Sequence, residues 1–263
     1  MFVFLAFYPQ VHTGSRGPGQ AAFRFHRNVI LRGQDFDRTG HLKAQRRIEK
    51  QFPGKNSVER RDALEQLRLE QLAALHPPYL EGAEAYAYYL DLLLMQTYAR
   101  WNRKLITRHI VTAVLGCAYA DPDTEEDNSR FVESVHNLID FDDFHVRKGA
   151  IAAYTHRRAI VSINMAQGCW IVRALRDNPD TNFSAPHGLG RNEERGAVPA
   201  GSGSLRDRLY QFRQQMGDIV ADVNQHTLDE APASYKSPEL VCESLKHHVT
   251  IEDQLFPLIN IKG

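Results

Sequence analysis

The sequence has few cysteines, no excess of charge and no long apolar run, and each shortage argues against a class of protein. Its three cysteines, Cys117, Cys169 and Cys242, show neither CxxC spacing nor an even-numbered framework. A domain held together by disulfides is therefore not expected, whereas a reduced, cytoplasmic setting is. The 32 basic residues balance 32 acidic ones, which does not indicate a uniformly basic nucleic-acid-binding surface.

The amino-terminal stretch MFVFLAFYP is apolar but short. It lacks a basic flank and a small-residue cleavage site, so it does not predict a signal peptide, and it is too short to span a bilayer. We expect a buried β-strand that runs into a turn at His12, and no association of the chain with a membrane.

The rest of the composition is that of an ordinary soluble globular protein. The chain has 263 residues, of which 43% are hydrophobic and 24% charged, enough for one large domain or two small ones. Because the net charge is zero, binding to a polyanion would need a local basic cleft. Basic residues cluster over 60–68 and at Arg157 and Arg158, where solvated surface charge is the more ordinary interpretation.

Hydrophobic spacing predicts helices in the first half of the chain. A glycine-rich loop is expected over 14–20. Asn56 and Glu59 form a capping-box pattern that opens a helix. A longer helix is expected over 83–115. The apolar stripe of this longer helix, which we assign to the core, comprises Tyr86, Tyr89, Leu90, Leu93, Ala99 and Trp101.

The second half of the chain indicates strands as well as helices. Short strands and turns are expected over 134–172, helices over 205–223 and 238–249, and a terminal strand in LFPLINIKG. No internal repeat is present. The mixture predicts an α+β domain built on a largely antiparallel sheet.

The segment SAPHGLGR (184–191) has the chemistry of a phosphate site. Gly188 and Gly190 lack a Cβ and let the backbone approach a phosphate closely, and the guanidinium of Arg191 offers paired donors to phosphate oxygens. His187 directly precedes this turn, where an imidazole could attack or bind a phosphate. Short glycine motifs also occur in ordinary surface turns, so the interpretation needs support from the rest of the chain.

Three further segments carry residues of the same kind. VHTGSRGPG (11–19) places His12 before a glycine turn, and VHNLIDF places His136 beside Asn137. The chain ends in NIKG, with Lys262 next to last. Imidazoles suit manganese, zinc, iron and nickel, although each histidine could equally be a hydrogen-bonded structural residue.

Taken in order, these motifs resemble those of the RtcB-type RNA ligases. The similar segments extend over almost the whole chain: VHTGSRG, the helix AYAYYLDLLLMQTYARWNR, VHNLIDF, HVRKGAIAA, SAPHGLGR, LDEAPASYK and the terminal IKG. The resemblance implies an α+β fold with mixed, largely antiparallel sheets around a central cleft flanked by helices. It also implies GTP-dependent joining of an RNA 3′-phosphate or 2′,3′-cyclic phosphate to a 5′-hydroxyl, with Mn²⁺ as the metal.

The resemblance further implies the residues of the site. His187 would be the nucleophile that forms a histidine–GMP intermediate, and His12 and His136 would be metal ligands. No role is assigned to Arg147 or Lys148. The residues expected to bind the nucleotide are His136, Asn137, Ser162, Ile163, Asn164, Met165, Cys169, His187, Gly188, Leu189, Gly190, Tyr235 and Lys262.

The chain also departs from the family pattern. The aspartate, cysteine and histidine metal ligands that precede VHTGSRG in the family are not among these residues, so we expect a single RtcB-like domain, 1–263, without the family's N-terminal region. Pro186 stands where the family has serine, and SINMA (162–166) where it has Pro-Gly-Ser-Met-Gly. Two hypotheses stay open: an RNA ligase, or a truncated or degenerate relative that serves at most as a binding or interaction module.

Overall fold

The computed structural model of the chain describes residues 9–14, 16–32, 37–53, 57–73, 79–116, 118–119, 131–192 and 203–261. The chain divides into two compact units, Met1–Tyr119 and Ala120–Gly263. The expected single domain over 1–263 stays a prediction, because compactness alone does not show that each unit folds by itself. The strand expected in MFVFLAFYP falls on residues 1–8, outside the described part of the chain.

The first unit is helical. Its helices are α1 Arg16–Arg32, α2 Arg38–Gln51, α3 Val58–Ala73 and α4 Gly82–His109, which continues as a π-helix over Ile110–Val114. Helix α1 packs on α4, and α2 packs on α3. A polar pair joins α1 to α4: His26, which is buried, places its Nε2 2.8 Å from Asp91 Oδ2.

The glycine-rich loop expected over 14–20 is wrong, because α1 begins at Arg16. Proline and glycine do not prevent a helix here, since Pro18 lies in the first turn, where the amide hydrogen that proline lacks would have no partner within the helix. The good helix formers that follow, Gln20, Ala21 and Ala22, favour the helix, which continues to Arg32.

The bounds predicted for the long helix agree with α4, but its assigned core stripe is largely wrong. Tyr86 and Trp101 are 64% and 61% exposed. Helix α4 carries apolar residues around most of its circumference, and α1 covers the face that holds Asp91. The sequence pattern alone does not show which face a neighbouring helix covers. Of the other assigned positions, Tyr89 and Leu90 are exposed, and Leu93 and Ala99 are half-buried.

Helix α3 begins where a hydroxyl caps it. Ser57 Oγ accepts from Arg60 N–H at 3.1 Å, whereas the predicted cap, Asn56, lies outside the described residues. The basic residues over 60–68 include exposed helix charges such as Arg68, which pairs with Glu65 at 3.1 Å. The exposure of Arg68 agrees with the interpretation of the cluster as solvated surface charge, whereas the side chain of Arg60 is only 18% exposed and pairs with Glu49 at 3.3 Å.

The second unit is built on short strands. They are β1 Asn137–Asp140, β2 His145–Lys148, β3 Ala150–Ala152, β4 Ala159–Ser162, β5 Cys169–Ala174, β6 Ser184–Pro186, β7 Val220–Ala221, β8 Val249–Leu255 and β9 Ile259–Asn260. Strand β1 pairs with β2, β3 pairs with β6, and β5 lies between β4 and β8, all antiparallel, whereas β7 and β9 are parallel. With helices α5 Leu205–Met216 and α6 Pro238–Leu245, this architecture confirms the predicted α+β class.

Two apolar cores hold the second unit together. In the larger one, Val161 of β4 and Val172 of β5 are fully buried and lie in one cluster with Leu245 of α6. The central strand β5 reads as a nearly continuous apolar run because it is buried along most of its length. The smaller core gathers Phe212 and Met216 of α5 with other buried residues.

Helices α5 and α6 are shorter than the sequence predicts. Helix α5 begins at a capping box formed by Ser204 and Asp207. It ends at Gly217, which has a φ of +56° and so stops the helix in a conformation that favours glycine. The predicted helix over 238–249 ends early because Val249 already belongs to β8. None of the described helices is both long and apolar enough to cross a membrane.

Candidate active site

His187 follows the last residue of β6, in a turn held by backbone hydrogen bonds. Ser162, at the end of β4, donates its N–H to the His187 carbonyl at 3.1 Å, and Leu189 N–H donates to the Ser162 carbonyl at 3.1 Å. Pro186 lies opposite Ala150 in the β3–β6 pair. A proline is compatible with this pairing because it stands at the end of a strand in a two-stranded sheet.

Gly188 is required for this turn to pack against β4. A Cβ at position 188 would lie 2.7 Å from the Ser162 carbonyl oxygen. The sequence interpretation assigned Gly188 to the close approach of a phosphate, whereas the structure shows a close approach to a neighbouring strand. Gly190 has a φ of +73°, in the left-handed region that favours glycine.

The ring of His187 has a defined orientation. Its Nδ1 lies 2.6 Å from the carbonyl oxygen of Gly149. Because a carbonyl oxygen only accepts, Nδ1 carries the hydrogen, and in the neutral ring the lone pair is left on Nε2. Gly149 itself has a φ of +70°. This left-handed conformation favours glycine at the position that presents the carbonyl.

His136 and Asn137 meet His187 at Gly149. The His136 ring stacks on the His187 ring, with centroids 4.6 Å apart and planes inclined by 30°. Gly149 N–H donates to the His136 carbonyl at 2.7 Å and lies 3.3 Å from Asn137 Oδ1. The hairpin formed by VHNLIDF and HVRKGA therefore meets SAPHGLGR, which lies more than 30 residues later in the sequence, at one glycine.

On its other side, HGLGR is bound to the DEAPASYK segment. Lys236 N–H donates to the Gly190 carbonyl at 3.1 Å. Arg191 donates through Nη1 to the Asp229 carbonyl and through Nη2 to Glu230 Oε1 at 2.7 Å. The predicted nucleotide residue Tyr235 lies under the guanidinium of Arg191, with its ring centroid 4.9 Å from Cζ. Both Nη atoms of Arg191 thus serve protein acceptors, which corrects the interpretation that they face a phosphate.

The side chains of the SINMA segment mainly pack in the apolar cores or stabilise a turn. Ile163 is buried in the larger core and Met165 in the smaller one. The Oδ1 of Asn164 accepts from the backbone N–H groups of Ala166 and Gln167 at 3.0 and 2.9 Å, which forms a tight turn. Of the predicted residues 162–165, Ser162 makes the backbone contacts that hold the His187 turn. The predicted residues Cys169 and Leu189 are also buried in this unit.

Arg147 is the centre of a buried hydrogen-bond network that joins the β1–β2 hairpin to β6, a role that sequence reasoning missed. Its side chain is 2% exposed and donates to Asp140 Oδ2 at 2.6 Å and to Asp143 Oδ2 at 2.5 Å. It also donates to Ser184 Oγ at 3.0 Å and to the carbonyls of Asn182 and Phe183. The acidic residues four and seven positions before Arg147, in the same hairpin, are the sequence signal that could have indicated this pairing.

The ionised state of Asp143 is part of this network. Burial by itself would raise the pKa of Asp143, but hydrogen bonds from Arg147 and Tyr154 outweigh it and hold that pKa well below its usual range. The carboxylate therefore stays charged at every physiological pH, and it keeps the guanidinium of Arg147 in one position.

The described residues contain no group of three or more His, Cys, Asp or Glu placed to hold a metal ion. His136 and His187 offer adjacent imidazoles, whereas the predicted ligand His12 belongs to the first unit. Lys262 lies outside the described residues. By themselves, the described residues do not fit a manganese centre. They offer the imidazole of His187, whose orientation is fixed by a backbone carbonyl.

Cys169 is expected to resist alkylation in the folded chain. It is fully buried in β5, and burial, with a further contribution from Asp253, raises the pKa of its thiol to about 11. The half-buried Cys242 is the internal comparison. With iodoacetamide at pH 8, peptide mass spectrometry should show modification of Cys169 at least about ten-fold slower than that of Cys242. Equal rates in the native chain, before denaturant is added, would contradict the burial of Cys169.

Comparison with known proteins bears on the motifs that converge on His187. No curated protein matches the chain. The family described as tRNA-splicing ligase RtcB matches residues 7–263, so the match includes both compact units and every segment that meets at Gly149 and HGLGR. Because it extends over nearly the whole sequence, the chain belongs to the RtcB family.

Proposed function

We propose that this chain joins an RNA 3′-phosphate or 2′,3′-cyclic phosphate end to a 5′-hydroxyl end through a GMP group carried on His187. Membership in a family of tRNA-splicing ligases supports RNA as the substrate. The observation that carries the proposal is the hydrogen bond between His187 Nδ1 and the Gly149 carbonyl, because it leaves Nε2 as the nucleophilic atom. A cytoplasmic setting stays our expectation from cysteine usage.

In the first step, the Nε2 lone pair of His187 attacks the α-phosphorus of GTP. A nitrogen–phosphorus bond forms, the bond from the α-phosphorus to the bridging oxygen breaks, and pyrophosphate leaves. The Nδ1 proton stays on the ring. The carbonyl oxygen of Gly149 stabilises the positive charge that develops on the imidazole.

The next steps pass the guanylate to RNA. An oxygen of the RNA 3′-phosphate attacks the phosphorus held by His187, which frees Nε2 and activates the RNA end. A cyclic phosphate first needs water to open it to a 3′-phosphate. The 5′-hydroxyl then attacks the activated phosphorus, loses its proton and displaces GMP, so the strand is sealed.

The other expected parts of the site stay predictions. Mn²⁺, with His12 and His136 among its ligands, is one, and the steps proposed for His187 do not pass through it. Nucleotide contacts by Asn137, Tyr235 and Lys262 are others. Nucleotide contacts by Ser162, Gly188 and Gly190 also stay predictions; Ser162 is paired with Gly188 next to His187.

The test is covalent guanylylation of the purified chain. GTP labelled at the α-phosphate, with Mn²⁺, should leave label on the denatured protein, and acid but not base should release it, as expected of a phosphoramidate. GTP labelled at the γ-phosphate is the matched control and should leave none. RNA with a 3′-phosphate and a 5′-hydroxyl should then be joined. If a folded chain takes no α-label, the ligase proposal fails and the non-catalytic hypothesis is supported.

A further inference from the structure

The hairpin of β1 and β2 has two different faces. Side chains alternate along paired strands, and the inner face carries Arg147 with its buried partner Asp140. On the outer face of β2, Val146 is 77% exposed and Lys148 is exposed as well. Asn137, the β1 residue opposite Lys148, is also exposed. This outer face is a narrow solvent-facing surface with one cation.

The tip of the hairpin presents an aromatic ring to solvent in a strained conformation. Phe144 is 79% exposed and has a φ of +58°, which is rare for a bulky L-residue. The neighbouring Asp143 imposes this conformation, because Oδ1 of its carboxylate accepts from His145 N–H at 3.0 Å while Arg147 holds the same group. Strain that the surroundings impose on an exposed aromatic is typical of a functional position.

The outer face begins at the candidate active site. Lys148 directly precedes Gly149, whose carbonyl accepts from His187 Nδ1. At about 3.3 Å per residue, the strand from Lys148 to Phe144 spans about 13 Å, enough for about four stacked nucleotides at about 3.4 Å each. The surface therefore leads from the reacting histidine to an exposed ring over a distance that suits a short single strand.

We propose that this outer face, with Val146 and Lys148, and the exposed ring of Phe144 at the tip of the hairpin together hold the single-stranded RNA end that is presented to His187. The inference rests on the proposed function. The Lys148 ammonium attracts a backbone phosphate next to the reacting end, and the Phe144 ring stacks on a base farther along the strand.

Charge and size favour RNA over a protein partner. Val146 and Phe144 form too small an apolar surface for a stable protein interface, whereas a cation beside an exposed aromatic ring is the combination with which proteins bind single-stranded nucleic acid. Asp142 is the exposed acid at the tip, so the phosphates follow the Lys148 side of the hairpin and only the base reaches Phe144.

The experiment measures binding of a fluorescent ten-nucleotide RNA with a 3′-phosphate to the full chain by anisotropy. Phe144→Ala should weaken binding about ten-fold, in line with the loss of one base–aromatic stack, and Phe144→Trp should retain it. Lys148→Gln should weaken binding and reduce the dependence on salt by about one ion. The matched control is Phe256→Ala, which removes another exposed phenylalanine of the same unit and should leave the affinity unchanged.

A second variant separates recognition from folding. Phe144→Gly removes the ring and relieves the left-handed strain, so its thermal midpoint should equal or exceed that of the original chain while its RNA affinity falls. If Phe144→Ala and Phe144→Gly bind RNA as tightly as the original chain, the inference is overturned. Guanylylation of the unaltered chain is measured separately, so failure of the proposed function and failure of this surface give different results.

Discussion

Replacing Arg147 with leucine is expected to lower the free energy of unfolding of the second unit by about 3–5 kcal/mol. The guanidinium is buried and is the shared partner of the carboxylates of Asp140 and Asp143. Removing it leaves the half-buried carboxylate of Asp143 without its guanidinium partner, and leaves the buried carboxylate of Asp140 with only the more distant Arg157, at 3.8 Å. The carbonyls of Asn182 and Phe183 lose a donor as well, and both residues have a positive φ, so a strained turn loses its support.

The measurement is urea denaturation followed by the fluorescence of Trp170, which is buried in this unit. A Trp101→Phe background removes the other tryptophan, which belongs to the first unit. Arg173→Leu is the matched control, because Arg173 pairs with Glu252 at a partly exposed site and should cost less than about 1 kcal/mol. Similar shifts for both variants would show that the Arg147 network contributes no more than a surface ion pair.

Arg147 also marks the limit of what the sequence predicts about the site. The motifs HN, HGLGR and DEAPASYK were recognised from their residue types, and the structure brings them together through backbone hydrogen bonds at Gly149 and Gly190. The function of individual side chains inside those motifs was harder to predict. Arg191 has donors that suit a phosphate equally well as a carboxylate, and only the fold places Glu230 and Tyr235 beside it.

The sequence also does not show which group the backbone at Gly188 approaches. A glycine before a turn is compatible with a phosphate or with a close neighbouring strand, and the strand that supplies the Ser162 carbonyl lies 26 positions earlier in the sequence. Local features were predicted better: the long helix over 83–115 agrees with α4, and the strands and turns over 134–172 agree with β1 to β5. The prediction of a loop over 14–20 was wrong because glycine and proline in a first helical turn are weak evidence against a helix.

His187→Ala is expected to reduce guanylylation at least about a thousand-fold, because the substitution removes the nucleophile itself rather than a group that assists it. The fold should survive, since the side chain contributes a hydrogen bond to Gly149 and a ring contact with His136, and the loss of such a hydrogen bond costs about 1 kcal/mol. The α-label assay measures the activity, and the thermal midpoint measures the stability. His226→Ala is the matched control: it removes an exposed histidine of the same unit and should change neither quantity.

The position of the bond on the ring gives a stricter test than the loss of label. Nδ1 is committed to the Gly149 carbonyl, so GMP should be attached through Nε2 and Nδ1 should keep its hydrogen. In protein labelled with ¹⁵N-histidine, a phosphorus–nitrogen correlation distinguishes the two attachments. Attachment at Nδ1 would require the ring to leave Gly149 and would contradict the orientation proposed for His187, even if the chain were an active ligase. Attachment at Nε2 would show that the backbone at Gly149, which no side-chain motif reveals, selects the nucleophilic atom.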